Sequence, residues 1–515
     1  MSNRRHYLIG FSLLLLVWVS ASTGCSEKAT TAPPNTTPPD NTAPADTITS
    51  EERRFLDTLQ QDTFNWFWET TNAQNGLIPD RAPDPPFSSI AATGFALSSY
   101  IVGVEKGYIG RTQAADRTLA TLEFFWNTPI GPKVTGVSGY QGFYYHFLDM
   151  DSGHRYRNVE LSTIDSALLF AGMLSSRQYF DGSSQTEMRI RALADSIYTR
   201  ADWTWFYSED HKPLLSMGYR PEEGFIDAHW QGYNEAMILY ILALGSPTHP
   251  INAEAWEQWT VTYEWDSFNG QPHVNFSPLF GHQYSHIWID FRDIQDAFMR
   301  RTGIDYFENS RRATLAQRQY AIDNPNGFRG YGKNIWGLTA SDGPANVTRE
   351  VNGQSVTFHT YRARGASALQ VHDDGTIAPT AAGGSMPFTP YRSVDALHMM
   401  KQTYGDLLYG KYGFKDAFNP SFTFTDVQMD RGDIVDEQRG WFNGDYLGID
   451  QGPILLMIEN YRSGLIWDLM KENPYIRRGL RRAGFEGGWL DEYQEKNPKE
   501  TMEARERSIE SVLQE

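Results

Sequence analysis

The sequence predicts an all-α fold in which helix hairpins close into an α/α toroid, and three observations lead there. From residue 51 onward, apolar residues recur at helical spacing in about a dozen segments. Period-two runs are few; the best hairpin candidate is 346–363, with Asn352-Gly353 at its turn. Long loops rich in Gly and aromatics, such as TGVSGYQGFYYHFLDMDSGHRYRNVE, lie between the helical segments, and long loops in a compact domain are usually functional. An open solenoid of α-hairpins shows a clear period and short loops, and this chain has neither.

The chain starts with a targeting pattern. Arg4 and Arg5 precede a short apolar run at 8–19, followed by Ser22-Thr23-Gly24-Cys25. The run is too short and wrongly flanked for a membrane span. It resembles a bacterial lipoprotein signal over residues 1–24, cleaved before Cys25, although Ser22 stands where such signals carry Leu. An ordinary secretory signal cut nearby is the alternative. Cys25 is the only cysteine, so it cannot form an internal disulfide, and it stands where a lipid would be attached. Residues 25–50 are rich in Pro, Thr and Ala and read as an extended tether that cannot bury a core. The expected location is a bacterial membrane surface, with the body, 51–486, facing the periplasm or the cell exterior. Residues 487–515 read as a charged tail.

Within the body, Phe55, Leu56, Leu59, Phe64, Phe67 and Trp68 mark the first helix, and similar patterns fall near 89–105, 112–126, 163–180, 185–200, 232–244, 252–263, 283–300, 305–322, 391–404, 451–463 and 473–483. Trp 15, Tyr 27 and Phe 29 are high counts that suit both a large core and a groove that stacks on sugar rings. A formal charge of −18 argues against nucleic acid and, more weakly, against a polyanionic substrate.

Acids gather at helix starts beside aromatics. They include Asp149, Glu160 and Asp165, then Glu235, then Asp445 and Asp450 near Trp441 and Tyr446. Each has a plain reading as a cap. Ser162 and Asp165 fit a capping box, and Asp450 before Pro453 fits a helix first turn. Their repetition at three helix starts is what favours chemistry. Two carboxylates across an aromatic cleft, one protonated and one ionised, are what glycoside hydrolysis requires. An acid role for Glu235 needs burial to offset the helix dipole, which Trp230 and Tyr233 could supply. His282 and His286, at i and i+4 with Asp290 beyond, have zinc-ligand spacing, but Gln283 stands where a zinc protease has Glu, so no metal is expected. These histidines and Arg292 read instead as sugar-hydroxyl ligands or as core residues. No phosphate loop or Ser-His-Asp order is legible, and no cofactor is expected.

GVSGYQGFYYHFLDMDSG, VELSTIDSALLFAG, GYNEAMILYILALGSP, GFRGYGKNIWGLTASDGP, GTIAPTAAGGSMPF and WFNGDYLGIDQGPILLMIENYRSGLIWDLM together resemble the glucoamylase-like domain of glycoside hydrolase family 144, over about 51–486. The resemblance implies one (α/α)6 barrel and an inverting hydrolase of linear or cyclic β-1,2-glucan, with most members cutting internally and some releasing sophorose from a chain end. It implies Glu235 as general acid, with Asp450 and Glu160 as acids needed for activity. The hairpin at 346–363 departs from it. Further substrate contacts are expected from Tyr144, His146, Tyr233, Arg329, Asp149, Asp165, Asp445 and Tyr446. Trp336 and Trp441 are candidate stacking platforms, and Gly444, Gly448 and Gly452 are expected to let backbone approach the sugar. A monomer is expected. A polysaccharide lyase on the same toroid and a non-catalytic glycan-binding lipoprotein are the rival readings.

Overall fold

The structure, a computed structural model, describes residues 48–85, 87–207 and 213–493. The signal, Cys25 and nearly all of the expected tether lie outside the described residues. The packed chain begins slightly before residue 51. Ile48 is buried, and Thr49 caps the first helix through a reciprocal box with Glu52. At the other end Leu490 is buried and Trp489 donates to the Asp290 carbonyl (2.8 Å), so packing continues past 486.

Sixteen helices are present among the described residues: α1 Ser50–Thr70, α2 Ile90–Glu105, α3 Arg111–Asn127, α4 Thr163–Tyr179, α5 Gln185–Thr199, α6 Met237–Gly245, α7 Glu254–Val261, α8 Tyr284–Trp288, α9 Ala297–Thr302, α10 Tyr306–Asp323, α11 Pro379–Gly384, α12 Pro390–Tyr404, α13 Gly448–Arg462, α14 Leu465–Lys471, α15 Pro474–Arg482 and α16 Gly488–Glu492. Six of them, α2, α4, α6, α8, α11 and α13, are buried almost all round, as expected of helices with no solvent face. They form the inner ring. α2 packs on α4 and α13, α4 on α6, α6 on α8, and α11 on α13. Gln283, just before α8, closes the remaining gap by donating to the Ala381 carbonyl of α11 at 2.8 Å. The amphipathic helices α1, α3, α5, α7, α10 and α12 alternate with them in sequence and form the outer layer, giving the expected (α/α)6 toroid.

Backbones approach very closely between α2 and α4. A Cβ on Gly172 would sit 2.0 Å from the Gly94 carbonyl, so only glycine fits there. Gly448 and Gly452 prove to be of this kind too. A Cβ would strike Ala92 at 2.5 Å in the first case and Phe95 at 2.3 Å in the second, so they serve helix packing and not approach to a sugar. The hairpin expected at 346–363 is present as Val347–Val351 paired with Gln354–Phe358 around Asn352 and Gly353, both at positive φ.

The six inner helices start at the same end of the ring, and short ladders hold the loops over that end. Ser88–Ser89 pairs with Phe147–Leu148 ahead of α2, Leu161–Ser162 with Gly218–Arg220 ahead of α4, and Arg81–Ala82 with Tyr446–Leu447 ahead of α13.

Candidate active site

The mouth at the inner-helix N-termini is lined by acids, which suits the positive ends of helix dipoles. It has two clusters and one isolated carboxyl.

The first cluster stands before α4. Glu160 Oε1 lies 3.0 Å from His146 Nδ1, and Asp165 Oδ1 lies 3.5 Å from His146 Nε2. Burial opposes charge on all three groups. The two carboxylates nevertheless raise His146 to about 9, and the hydrogen bond and charge of His146, with Arg220 behind it, hold Glu160 down at about 2. Ser162 caps α4 as the sequence allowed, and Asp165 accepts from the Ser162 hydroxyl as well.

The second cluster surrounds the start of α13. Arg81 Nη1 donates to Asp342 (2.7 Å) and Asp445 (3.1 Å), while its Nε donates to Asp80 (3.1 Å). Arg431 holds Asp445 from the outer side at 2.7 Å. Asn443 Nδ2 donates to Asp416 (2.7 Å) and Asp342 (3.1 Å). Asp450, in the first turn of α13, is raised by burial and then by the neighbouring Asp416 carboxyl. It does not cap its helix, and its Oδ2 is buried without a partner.

Glu235 stands alone, immediately before α6. It does not cap either; Ala236 is the N-cap residue and no side chain serves there. Its Oε2 is buried without a partner. Burial, then the charge of Asp165, lifts its carboxyl to about 7, so it holds its proton below neutrality and loses it as pH rises through about 7. Ser285 Oγ fixes the backbone, donating to the Glu235 carbonyl (2.8 Å) and accepting from Ile238 N–H (3.0 Å).

Around the inner ring α6 and α13 are three places apart, so the helix starts that carry Glu235 and Asp450 stand on different sides of the mouth. Tyr284, at the start of α8, interacts electrostatically with Asp450, Glu235 and Asp165 together. Its hydroxyl donates to the Ile449 carbonyl (3.3 Å), the acceptor that Pro453, lacking an N–H, leaves unpaired in α13. Pro453 is therefore inside the helix, which starts earlier than the sequence pattern indicated.

Several expected contacts are elsewhere. Trp336 and Trp441 are fully buried, with no ring face open to a ligand. Tyr144 is buried and donates to the Phe125 carbonyl; Tyr446 is buried against Tyr412. Tyr233 and His282 pack on each other in the core behind Glu235. His286 is buried against Ser310, 3.0 Å away, and burial lowers both histidines. No group of three metal-binding side chains occurs among the described residues. Arg292 leaves α8 at its opposite end and pairs with Asp290 (2.7 Å). Asp149 closes a local turn with Ser152, and Arg329 braces the Glu437 carbonyl (2.7 Å). The sequence reading missed Asp80, Arg81, Asp342, Asp416, Arg431 and Asn443. Only Asp342, inside the quoted ASDGP stretch, and Asn443, beside Asp445, carried any signal.

A family model described as "Putative glucoamylase" matches residues 227–474. A solved structure of the same description from Bacteroides uniformis is 32% identical with a TM-score of 0.71, over 85% of this chain and 98% of that one. The endo-β-1,2-glucanase of Chitinophaga pinensis, solved with sophorotriose and glucose, is 28% identical with a TM-score of 0.71, over 85% and 99%. An exo β-1,2-glucooligosaccharide sophorohydrolase (non-reducing end) of Parabacteroides distasonis is 27% identical over 468 residues. That match spans 85% of this chain but only 58% of the relative.

Proposed function

The chain belongs to the glucoamylase-like glycoside hydrolases of family 144, and from that premise we propose that it is an inverting endo-β-1,2-glucanase. The observation that carries the reading is the placement of Glu235, buried and with its carboxyl raised to about 7, across a mouth ringed by helix N-termini from the acidic cluster of Asp450. Glu235 donates its proton to the glycosidic oxygen as the C1–O bond breaks. A water on the far face, under Asp450, attacks C1 and gives up its proton on that side. Glu160, kept ionised by His146 and Arg220, supplies negative charge near the developing oxocarbenium ion.

Linear β-1,2-glucan should give short sophoro-oligosaccharides with an early fall in polymer size. Sophorose alone from the outset would point to the exo mode of the Parabacteroides relative. Glucose from starch would overturn the linkage. Products with unsaturated, ultraviolet-absorbing ends would indicate a lyase. Binding without new reducing ends would indicate a glycan-binding protein. We further propose that a lipid on Cys25 holds the enzyme at a bacterial membrane, its body facing the periplasm or exterior. This rests on the sequence pattern alone.

A further inference from the structure

We propose that Asp416 is a positioning residue for Asp450: the two carboxyls share one proton, and the negative charge of the pair rests on Asp416. The proposal depends on Asp450 receiving the proton of the attacking water, as proposed above.

Asp416 and Asp450 are both buried, and they come from separate parts of the chain, a loop after α12 and the first turn of α13. Asp416 Oδ2 is fully engaged, accepting from Asn443 Nδ2 (2.7 Å) and from the backbone N–H of Asp342 (3.1 Å). Its other oxygen, Oδ1, has no donor, and neither does Asp450 Oδ2. These are buried polar atoms that ordinarily find partners. The two carboxyls lie within hydrogen-bonding reach of each other, and two carboxylates can share a hydrogen bond only if one holds a proton.

The donors decide where the charge sits. Asp416 has two N–H groups on one oxygen, which favour its ionised form. Asp450 Oδ2 has none, so it carries the proton and donates it to Asp416 Oδ1. Arg81, held between Asp80, Asp342 and Asp445, offsets one negative charge nearby but not two. Arg364, Tyr361 and Tyr284 also act on the pair and supply no further carboxyl.

Asp450 can then accept a proton without being ionised itself. As the water oxygen bonds to C1, the water proton goes to Asp450 Oδ1 while the proton on its Oδ2 passes to Asp416 Oδ1. The glycosidic oxygen leaves with the Glu235 proton. The pair ends neutral and Glu235 ionised, and solvent returns the proton before the next turnover.

The test is a double-mutant cycle with Asp416→Asn and Asp450→Asn, measuring kcat, KM and melting temperature on β-1,2-glucan. The expected result is a fall in kcat of roughly 10²-fold for Asp416→Asn at nearly unchanged KM and melting temperature. The double variant should be no slower than the slower single one, because residues that act as a unit are not additive. Full kcat in Asp416→Asn with an inactive Asp450→Asn would overturn the shared proton and leave the base assignment standing. Multiplying effects would likewise overturn it. An active Asp450→Asn would overturn the base assignment itself. If Asp416→Asn does not fold, Asn443→Ala decides. It removes a donor that holds the charge on Asp416, so kcat should fall at constant KM, and an unchanged kcat would refute the proposal.

Discussion

His146 bridges two carboxylates, with Nδ1 3.0 Å from Glu160 and Nε2 3.5 Å from Asp165. The bridge makes the cluster's contribution to stability a function of pH. Glu160 is depressed from 4.5 to about 2, so its share is present above 4.5 and lost as pH falls toward 2. His146 is raised from 6.5 to about 9, so its share is full below 6.5 and lost as pH rises through 9. The melting-temperature gap between wild type and Glu160→Gln should therefore be widest between 4.5 and 6.5 and shrink on both sides. An equal gap at every pH would mean that the pair is not charged in the folded protein.

Glu235→Gln keeps the shape and removes the donated proton, and kcat should fall by about 10²–10⁴-fold. The wild-type rate should decline as pH rises through about 7, because the protonated form is the active one. Stability should move the other way in the variant. The raised carboxyl means that wild type loses stability between 4.5 and about 7, where the unfolded chain has already released the proton. Glu235→Gln lacks that loss and should melt no lower than wild type above neutrality. An inactive but clearly destabilised variant in that range would argue for a structural role.

The toroid was legible because helical spacing survives in a single sequence, and so did the positions of Glu160, Asp165, Glu235 and Asp450, which lie at helix starts. Their capping alternatives separated only in the structure. Ser162 does cap α4, whereas Glu235 and Asp450 cap nothing. The aromatic platforms failed for a physical reason: a large apolar ring is as suited to the core as to a sugar, and composition does not distinguish Trp336 in a core from a Trp in a cleft. Arg81 and Asp416 were invisible because their partnership with Asp342 joins three loops far apart in sequence. Nothing local to either of them distinguishes it from a solvated surface charge.

Arg81 is the cation on which the second cluster depends. Its side chain is 6% exposed and that of Asp342 is 4% exposed, so Arg81→Met should cost roughly 3–5 kcal/mol by leaving buried carboxylates uncompensated. The loss should be smaller in acid, where those carboxyls can take protons, and equal losses at neutral and acid pH would contradict the ion-pair explanation. Thermal unfolding at two pH values decides it.

Cys25→Ser should release the protein from membranes into the soluble fraction, since it removes the chain's only thiol. Detergent partitioning of both forms, expressed in a bacterium that processes lipoproteins, tests this. A variant that still enters the detergent phase would require a different anchor.

The stereochemistry of the product tests the opposition of Glu235 and Asp450 most directly. Acid and base on opposite faces of the sugar leave room for a water between base and C1, whereas a covalent intermediate requires the two carboxyl groups at only about 5–5.5 Å. Glu235 and Asp450 start helices three places apart around a six-helix ring, which suits the wider arrangement. A single displacement inverts C1, so cleavage of a β-1,2 bond should first release the α-anomer. Proton NMR, recorded faster than mutarotation, should show the α signal at the new reducing end leading the β signal. A β-anomer appearing first would mean two displacements, and it would require a carboxylate close enough to C1 to bond with it. Glu160 or Asp165, on the neighbouring helix start, would then replace Asp450 as the partner of Glu235.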